Sequence, residues 1–174
     1  MTAAHPVVIV GAGPGGAALA LLLASRGVAT TLVERQHDFA REFRGEVMMP
    51  SGLEVLEALG LDLEKDGIPH TRPEALEIRI EGRTVVRFDF TEGFFTDRAP
   101  LFVSQPALLE HLVALAGRHP GFRLLRGVAV RDLLRENGRV SGVRIEGQGG
   151  EEHLPASFVV GADGRASIVR RRGG

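Results

Sequence analysis

The first apolar run, Val7-Val8-Ile9-Val10, is continuous rather than alternating, and it breaks into Gly11-Ala12-Gly13-Pro14-Gly15-Gly16. Beyond that turn, Ala17 to Ala24 is again apolar but built from alanine and leucine. A continuous β-branched run predicts a strand buried on both faces, from about His5 to Val10. The alanine–leucine stretch predicts a helix to about Arg26, with Gly27 as its stop. Pro14 falls in its first turn, where a missing N–H costs little. Val28 to Val33, β-branched and carrying Thr30 and Thr31, predicts a second buried strand. Strand, helix and strand over about thirty residues form a right-handed βαβ unit on a parallel sheet.

Further along, the apolar spacing changes repeatedly. Gln36 to Met49 is polar and irregular and carries Arg41, Arg44 and Gly45. Pro50 to Gly60 predicts a helix, with Leu53, Val55, Leu56 and Leu59 near helical spacing. Glu74 to Phe90 alternates, with Leu76, Ile78 and Ile80 before a turn at Glu81-Gly82-Arg83 and Val86, Phe88 and Phe90 after it. That pattern predicts a half-buried β-hairpin. Leu101 to Val103 predicts a short strand. Ser104-Gln105-Pro106 opens a helix carrying Leu108, Leu109, Leu112, Val113, Leu115 and Ala116, to about Arg118.

Phe122 to Leu125 predicts another strand of the main sheet, and Val128 to Ile145 a second hairpin around Asn137-Gly138. Gly147 to Glu152 reads as a polar loop. Phe158-Val159-Val160 predicts a last buried strand, breaking into Gly161-Ala162-Asp163-Gly164. The basic tail, Arg165 to Gly174, reads as a solvated helix start rather than a polyanion site. No repeat and no clear linker interrupts this α/β pattern.

Charge and composition remove several classes of function. A net charge of −1 gives no field to draw the chain to nucleic acid or an anionic membrane. The absence of cysteine excludes disulfides, thiolate metal sites and a cysteine nucleophile. The histidines His5, His37, His70, His111, His119 and His153 make no metal-ligand spacing, so no metal is expected. No positive segment precedes the first apolar run, and no apolar stretch is long enough to span a bilayer. The expectation is a soluble, cytoplasmic protein.

The chemistry sits in the glycine turn. Gly11, Gly13 and Gly16 fit the G-x-G-x-x-G spacing, in which the glycines make the turn, admit a pyrophosphate and let helix and strand pack closely. The helix start then offers unpaired N–H groups and a partial positive charge to phosphate. Glu34 follows at the spacing and strand end where a ribose-binding carboxylate belongs, and its charge disfavours a 2′-phosphate there. An exposed strand-end acid remains the plainer reading of Glu34 taken alone. Arg44 is either solvated or a bidentate phosphate ligand, and Gln105 either caps its helix or binds ligand.

Three separated signatures now stand in order: Gly11-Ala12-Gly13-Pro14-Gly15-Gly16, Glu34-Arg35, and Gly161-Ala162-Asp163-Gly164-Arg165-Ala166-Ser167. Together they resemble the N-terminal part of the FAD-dependent aromatic hydroxylases, the para-hydroxybenzoate hydroxylase-like monooxygenases. Arg44, the helix Pro50 to Gly60 and Ser104-Gln105-Pro106-Ala107-Leu108-Leu109 look like the same family, so the likeness spans nearly the whole chain. It implies a Rossmann-like FAD-binding fold of the glutathione-reductase type, with FAD as cofactor, NAD(P)H as co-substrate and a small, aromatic substrate. On that resemblance Gly11, Ala12, Gly13 and Gly15, with Pro14 and Gly16, would lie at the FAD pyrophosphate. Glu34 would bind the adenosine ribose, and Arg35 would flank it. Arg44 and Gln105 would contact the ribityl-pyrophosphate region, and Val128 would meet adenine through its backbone. Asp163 is tied by the resemblance to both FAD and NAD(P)H. No residue is assigned as acid, base or nucleophile.

Members of that family are longer and carry a downstream glycine-aspartate motif. The chain is therefore expected to be a truncated FAD-binding domain over 1–174, with Glu74 to Phe90 starting the substrate-domain sheet. A second chain or a second copy would cover the open face. Three alternatives stand beside this reading. A reductase or halogenase relative shares the fold, and a non-catalytic remnant or half of a split enzyme would keep only part of the site. An NAD-binding dehydrogenase is opposed by the hairpin at Glu74 to Phe90 and by the late Gly161-Ala162-Asp163-Gly164 turn, which replace repeated βα units.

Overall fold

In chain order the elements are β1 (Val7–Val10), α1 (Pro14–Ser25), β2 (Thr30–Glu34), β3 (Val47–Met48), α2 (Pro50–Ala58), β4 (His70–Thr71), β5 (Ala75–Ile80), β6 (Arg83–Asp89), β7 (Leu101–Val103), α3 (Gln105–Ala116), β8 (Phe122–Arg126), β9 (Ala129–Glu136), β10 (Arg139–Gly147), β11 (Gly150–Pro155), β12 (Phe158–Gly161) and α4 (Ile168–Gly173). The computed structural model describes residues 5–40, 47–92 and 99–173. Arg41, Arg44, Gly45 and Gly174 lie outside the described residues. The chain divides into two units, one made of Met1–Arg41 and Leu109–Gly174, the other of Glu42–Leu108.

The first unit is organised by a four-stranded parallel sheet in the order β12-β1-β2-β8. β1 and β2 are buried along most of their length, as their continuous apolar runs require. Side chains alternate between the two faces of the sheet. On one face Val8, Val10 and Val33 pack with Val143 and Ile145 of the antiparallel sheet β11-β10-β9 and with Ala156 just past β11. Helix α1 packs on β1 and β2, burying Ala17, Ala20, Leu21 and Ala24. Its small residues let helix and strand approach closely. The fold is the Rossmann-like α/β arrangement expected.

Local chemistry explains where the elements begin and end. Gly27 takes φ +75°, its N–H donates to the Ala24 carbonyl and that of Val28 to the Leu23 carbonyl. This glycine-terminated cap absorbs Val28 and Ala29, so β2 starts at Thr30, two residues later than the apolar run predicts. The turns Glu81-Gly82 and Asn137-Gly138 both carry two positive φ values, as two-residue hairpins demand.

Four expectations need correction, the last of them in the second unit. The polar segment Gly147 to Glu152 is not a loop, because β11 begins at Gly150 and pairs antiparallel with β10. It forms the exposed edge of its sheet, where a strand needs no apolar face, and so it shows no apolar alternation. Phe158 is not buried: β12 is the edge of the parallel sheet, and Phe158 is 72% exposed. The irregular segment up to Met49 holds the short strand β3 within its described part.

The second unit contains an antiparallel sheet in the order β3-β7-β4, helix α2 and the hairpin β5-β6. The hairpin is present as predicted but is not half buried. Leu76 faces Phe88 and Ile78 faces Val86 across the strands, and all four are more than a third exposed. The opposite face carries Glu77 and Arg87, joined at 2.7 Å. An exposed pair of this kind is screened by solvent and contributes too little to hold a hairpin by itself.

Candidate dinucleotide-binding site

The glycine turn leaves the end of β1 and divides its glycines into two kinds. Gly11 has φ +98°, and a Cβ there would lie 2.5 Å from the carbonyl oxygen of Ala162. A Cβ on Gly16 would overlap the Gly11 carbonyl oxygen and stand 3.1 Å from the Ala162 Cβ. These two are glycine because the chain's own backbone fills the space. Gly13 and Gly15 differ: among the described residues a Cβ on either meets nothing within 4 Å. Gly13 has φ −68° and ψ 179°, a conformation open to any residue. Neither packing nor backbone strain requires glycine at these two positions, so the loop presents a bare face to its surroundings.

Gly13 is also the N-cap of α1, with no side-chain capping bond, and Pro14 follows at the first helical position. The Ala17 N–H donates to the Gly13 carbonyl at 2.9 Å, which starts the helix ladder. The N–H groups of Gly15 and Gly16 head a twelve-residue helix whose first turn holds no acid. Their direction and the helix dipole favour an anion at the bare face.

Glu34 ties this loop to the neighbouring strand. Its side chain is buried; Oε2 accepts the Ala12 N–H at 2.8 Å and Oε1 accepts the Gln36 N–H at 3.0 Å. The sequence gives Glu34 a ligand role; the structure adds that it also fixes the glycine turn. A carboxylate accepts up to about four hydrogen bonds, so holding two amides and receiving a ribose diol are compatible. The Val128 N–H donates to the Glu34 carbonyl at 3.1 Å, which places Val128 beside the same strand end. Arg35 is exposed at that end.

Asp163 lies in the turn after β12, and its carboxylate is engaged by the start of α4. Oδ1 accepts the Ser167 hydroxyl at 2.5 Å, and Oδ2 accepts the N–H of Ile168 at 2.6 Å and of Val169 at 3.3 Å. Burial alone would raise the Asp163 carboxyl, but these hydrogen bonds outweigh it and hold it below the usual carboxylate range. A lowered folded-state value means that the cap stabilises fully above the ordinary carboxylate pKa and fades as pH falls through the lowered one. Asp163→Ala is expected to cost about 1 kcal/mol at neutral pH, the usual worth of a capping acid, and less in acid. Denaturant midpoints at the two pH values check this, and an equal loss at both would contradict it.

The first unit thus brings together Gly11 to Gly16, Glu34, Arg35, Val128 and Asp163. Gln105 heads α3 and belongs to the second unit. Arg44 lies outside the described residues. Sequence reading missed Ala162, whose carbonyl and methyl close against Gly11 and Gly16. The signal was available in the small residues Gly161-Ala162 after a predicted parallel strand. Among the described residues no group of three or more His, Asp or Glu is placed to hold a metal, and no helix is long and apolar enough to cross a membrane. The bare glycine face, the uncapped helix start and the adjacent carboxylate fit the adenosine diphosphate half of a dinucleotide.

Fold and site together define a Rossmann-type dinucleotide-binding domain. The chain matches the family described as FAD binding domain over residues 4–174, and it belongs to that family. It is 38% identical over 170 residues to 6-methylpretetramide 4-monooxygenase of Streptomyces rimosus, covering 97% of this chain and 40% of that protein. The crystal structure of P. aeruginosa PqsL in complex with 2-aminobenzoylacetate superposes with a TM-score of 0.79 at 27% identity, over 97% of this chain and 45% of that one. The myxobacterial chondrochloren halogenase CndH superposes with a TM-score of 0.74 at 28% identity, over 94% of this chain and 38% of that one. The chain therefore spans less than half the length of each of these relatives.

Proposed function

We propose that this chain holds the adenosine diphosphate half of FAD within a flavin-dependent monooxygenase that uses NAD(P)H and O2 on a small aromatic substrate in the cytoplasm. The observation that carries the reading is the bare glycine face: Gly13 and Gly15 stand where nothing among the described residues asks for glycine. The amides of Gly15 and Gly16 receive the pyrophosphate, and Glu34 receives the ribose hydroxyls. Arg35 flanks the adenosine, Val128 offers its backbone to adenine, and Gly11, Ala12 and Pro14 set the curve of the loop. Gln105, Arg44 and Asp163 serve the ribityl and nicotinamide side. When bound, the flavin supplies the redox chemistry; the protein's part is to bind, orient and exclude water.

The monooxygenase reading takes its support from the Streptomyces relative, and the aromatic substrate from the ligand in the PqsL structure. Halogenation is the second reading, supported by the likeness to CndH. The exposed apolar face of the β5-β6 hairpin supports the hairpin as the start of a substrate-covering sheet, completed by later strands of a full-length protein or by a second chain.

Gly13→Ala tests the cofactor reading with little risk to the fold, because among the described residues the new methyl meets no atom within 4 Å. The variant is expected to melt with the parent and to bind ADP and FAD at least about tenfold more weakly, a loss of about 1.4 kcal/mol. Calorimetric titration of both proteins measures it. Unchanged nucleotide affinity in a folded Gly13→Ala protein sinks the reading.

A further inference from the structure

The corner after β8 holds a contact that nucleotide binding, as described so far, does not use. Arg126 closes β8 and stands opposite Glu34 in the register of the parallel sheet. Its two terminal nitrogens donate to the two carboxylate oxygens of Glu110 on α3, at 2.8 and 2.6 Å. The same guanidinium lies 4.4 Å from the centre of the Phe39 ring. Phe39 is only 1% exposed and sits in the turn that leads away from Glu34. That turn is held from the same corner by backbone: the Gly127 N–H donates to the Gln36 carbonyl at 3.0 Å, and the Val128 N–H to the Glu34 carbonyl. Gly127, at φ +68°, packs directly under the His37 ring.

A guanidinium that is bidentate on one side and stacked on an aromatic ring has a single orientation. The hydrogen bonds from Arg126 draw the Glu110 carboxyl below the usual carboxylate range. Yet the Glu110 side chain is 51% exposed, so the pair contributes little as an ion pair. Its effect is geometric. It links α3, the end of β8 and the turn after β2, and it holds them at the strand end that carries Glu34.

We propose that Arg126, clamped by Glu110 and stacked on Phe39, is a positioning residue for the adenosine end of the dinucleotide. It fixes the Glu34–Ala40 turn, so that the Glu34 carboxylate is oriented before the ribose arrives. The proposal rests on the dinucleotide reading above, and its test separates the two.

ADP and inorganic pyrophosphate are titrated into the whole chain and into Arg126→Met, Arg126→Lys and Glu110→Gln, with the ligand-free melting temperature of each recorded. Pyrophosphate reports the glycine loop and helix start alone, whereas ADP adds the adenosine end. Loss of preorganisation is expected to weaken ADP about tenfold in Arg126→Met and to leave pyrophosphate unchanged. Lysine does not restore ADP affinity, because an ammonium lacks the planar fork. Parent-like ADP affinity in all three variants overturns the proposal and leaves the dinucleotide reading standing. Parallel loss of ADP and pyrophosphate also overturns it, since that marks general loss of structure. A parent that binds neither ligand removes the dinucleotide reading, and this proposal with it. Should Arg126→Met fail to fold, Glu110→Gln, which keeps the size and the cation, decides the question.

Discussion

Gly16→Ala is expected to destabilise the protein and to abolish ADP binding together. The added methyl would occupy the position of the Gly11 carbonyl oxygen, and neither atom belongs to a flexible side chain. Gly11 cannot retreat, because its N–H is tied to the Val33 carbonyl at 2.8 Å and its Cα faces the backbone of Ala162. Overpacking of this kind costs about 1–3 kcal/mol, and the rigidity of both partners puts the cost at the upper end. For a domain of this size that lowers the melting temperature by roughly 5–10 °C. Thermal melts of Gly16→Ala and Gly13→Ala, run side by side, measure it. Two glycines of one motif should separate, one acting on fold and ligand together and the other on the ligand alone. A Gly16→Ala protein that melts with the parent would contradict the packing account.

Glu34→Ala is expected to show the second large effect. It leaves two backbone amides, those of Ala12 and Gln36, without their carboxylate partners. The Ala12 amide is buried, and an unsatisfied buried donor costs about 1–3 kcal/mol, whereas the exposed Gln36 amide turns to water at little cost. Glu34→Gln keeps the size but provides one acceptor oxygen where two are needed, and its loss should fall between parent and alanine. Urea midpoints rank the three proteins, and ADP titration should rank them in the same order. If glutamine matches the parent in stability, the carboxylate does not latch the loop in the way the two hydrogen bonds indicate.

Most of the first unit was legible because its elements carry strong local signals. An unbroken β-branched run marks β1 and a largely β-branched one β2, glycine and proline punctuate α1, and Asn137-Gly138 fixes a hairpin. The features that escaped depend on what lies beside a segment. The β11 strand is written in glycine and glutamate, and only its place at a sheet edge makes it a strand. Phe158 reads as core, yet among the described residues β12 has a paired neighbour on one side alone and Phe158 is exposed. At the site, the spacing of Glu34 pointed to a ribose, but nothing in the sequence indicated that the Ala12 amide would claim one of its oxygens. Arg126 and Glu110 carry no mutual signal either, because strand register and helix placement bring them together.

The strand order β12-β1-β2-β8 has a consequence for how the protein is made. β1 leaves the ribosome well before β12, yet they are neighbours, with Val7 opposite Phe158. Pairing β1 with β2 needs only a local helix, whereas its other side waits through the whole of the second unit. During that interval a run of valine and isoleucine presents open N–H and C=O groups, the kind of edge that recruits foreign strands. Late closure of such a contact also slows folding. Newly synthesised chains should therefore be most prone to aggregate in the period before Phe158 to Gly161 emerges.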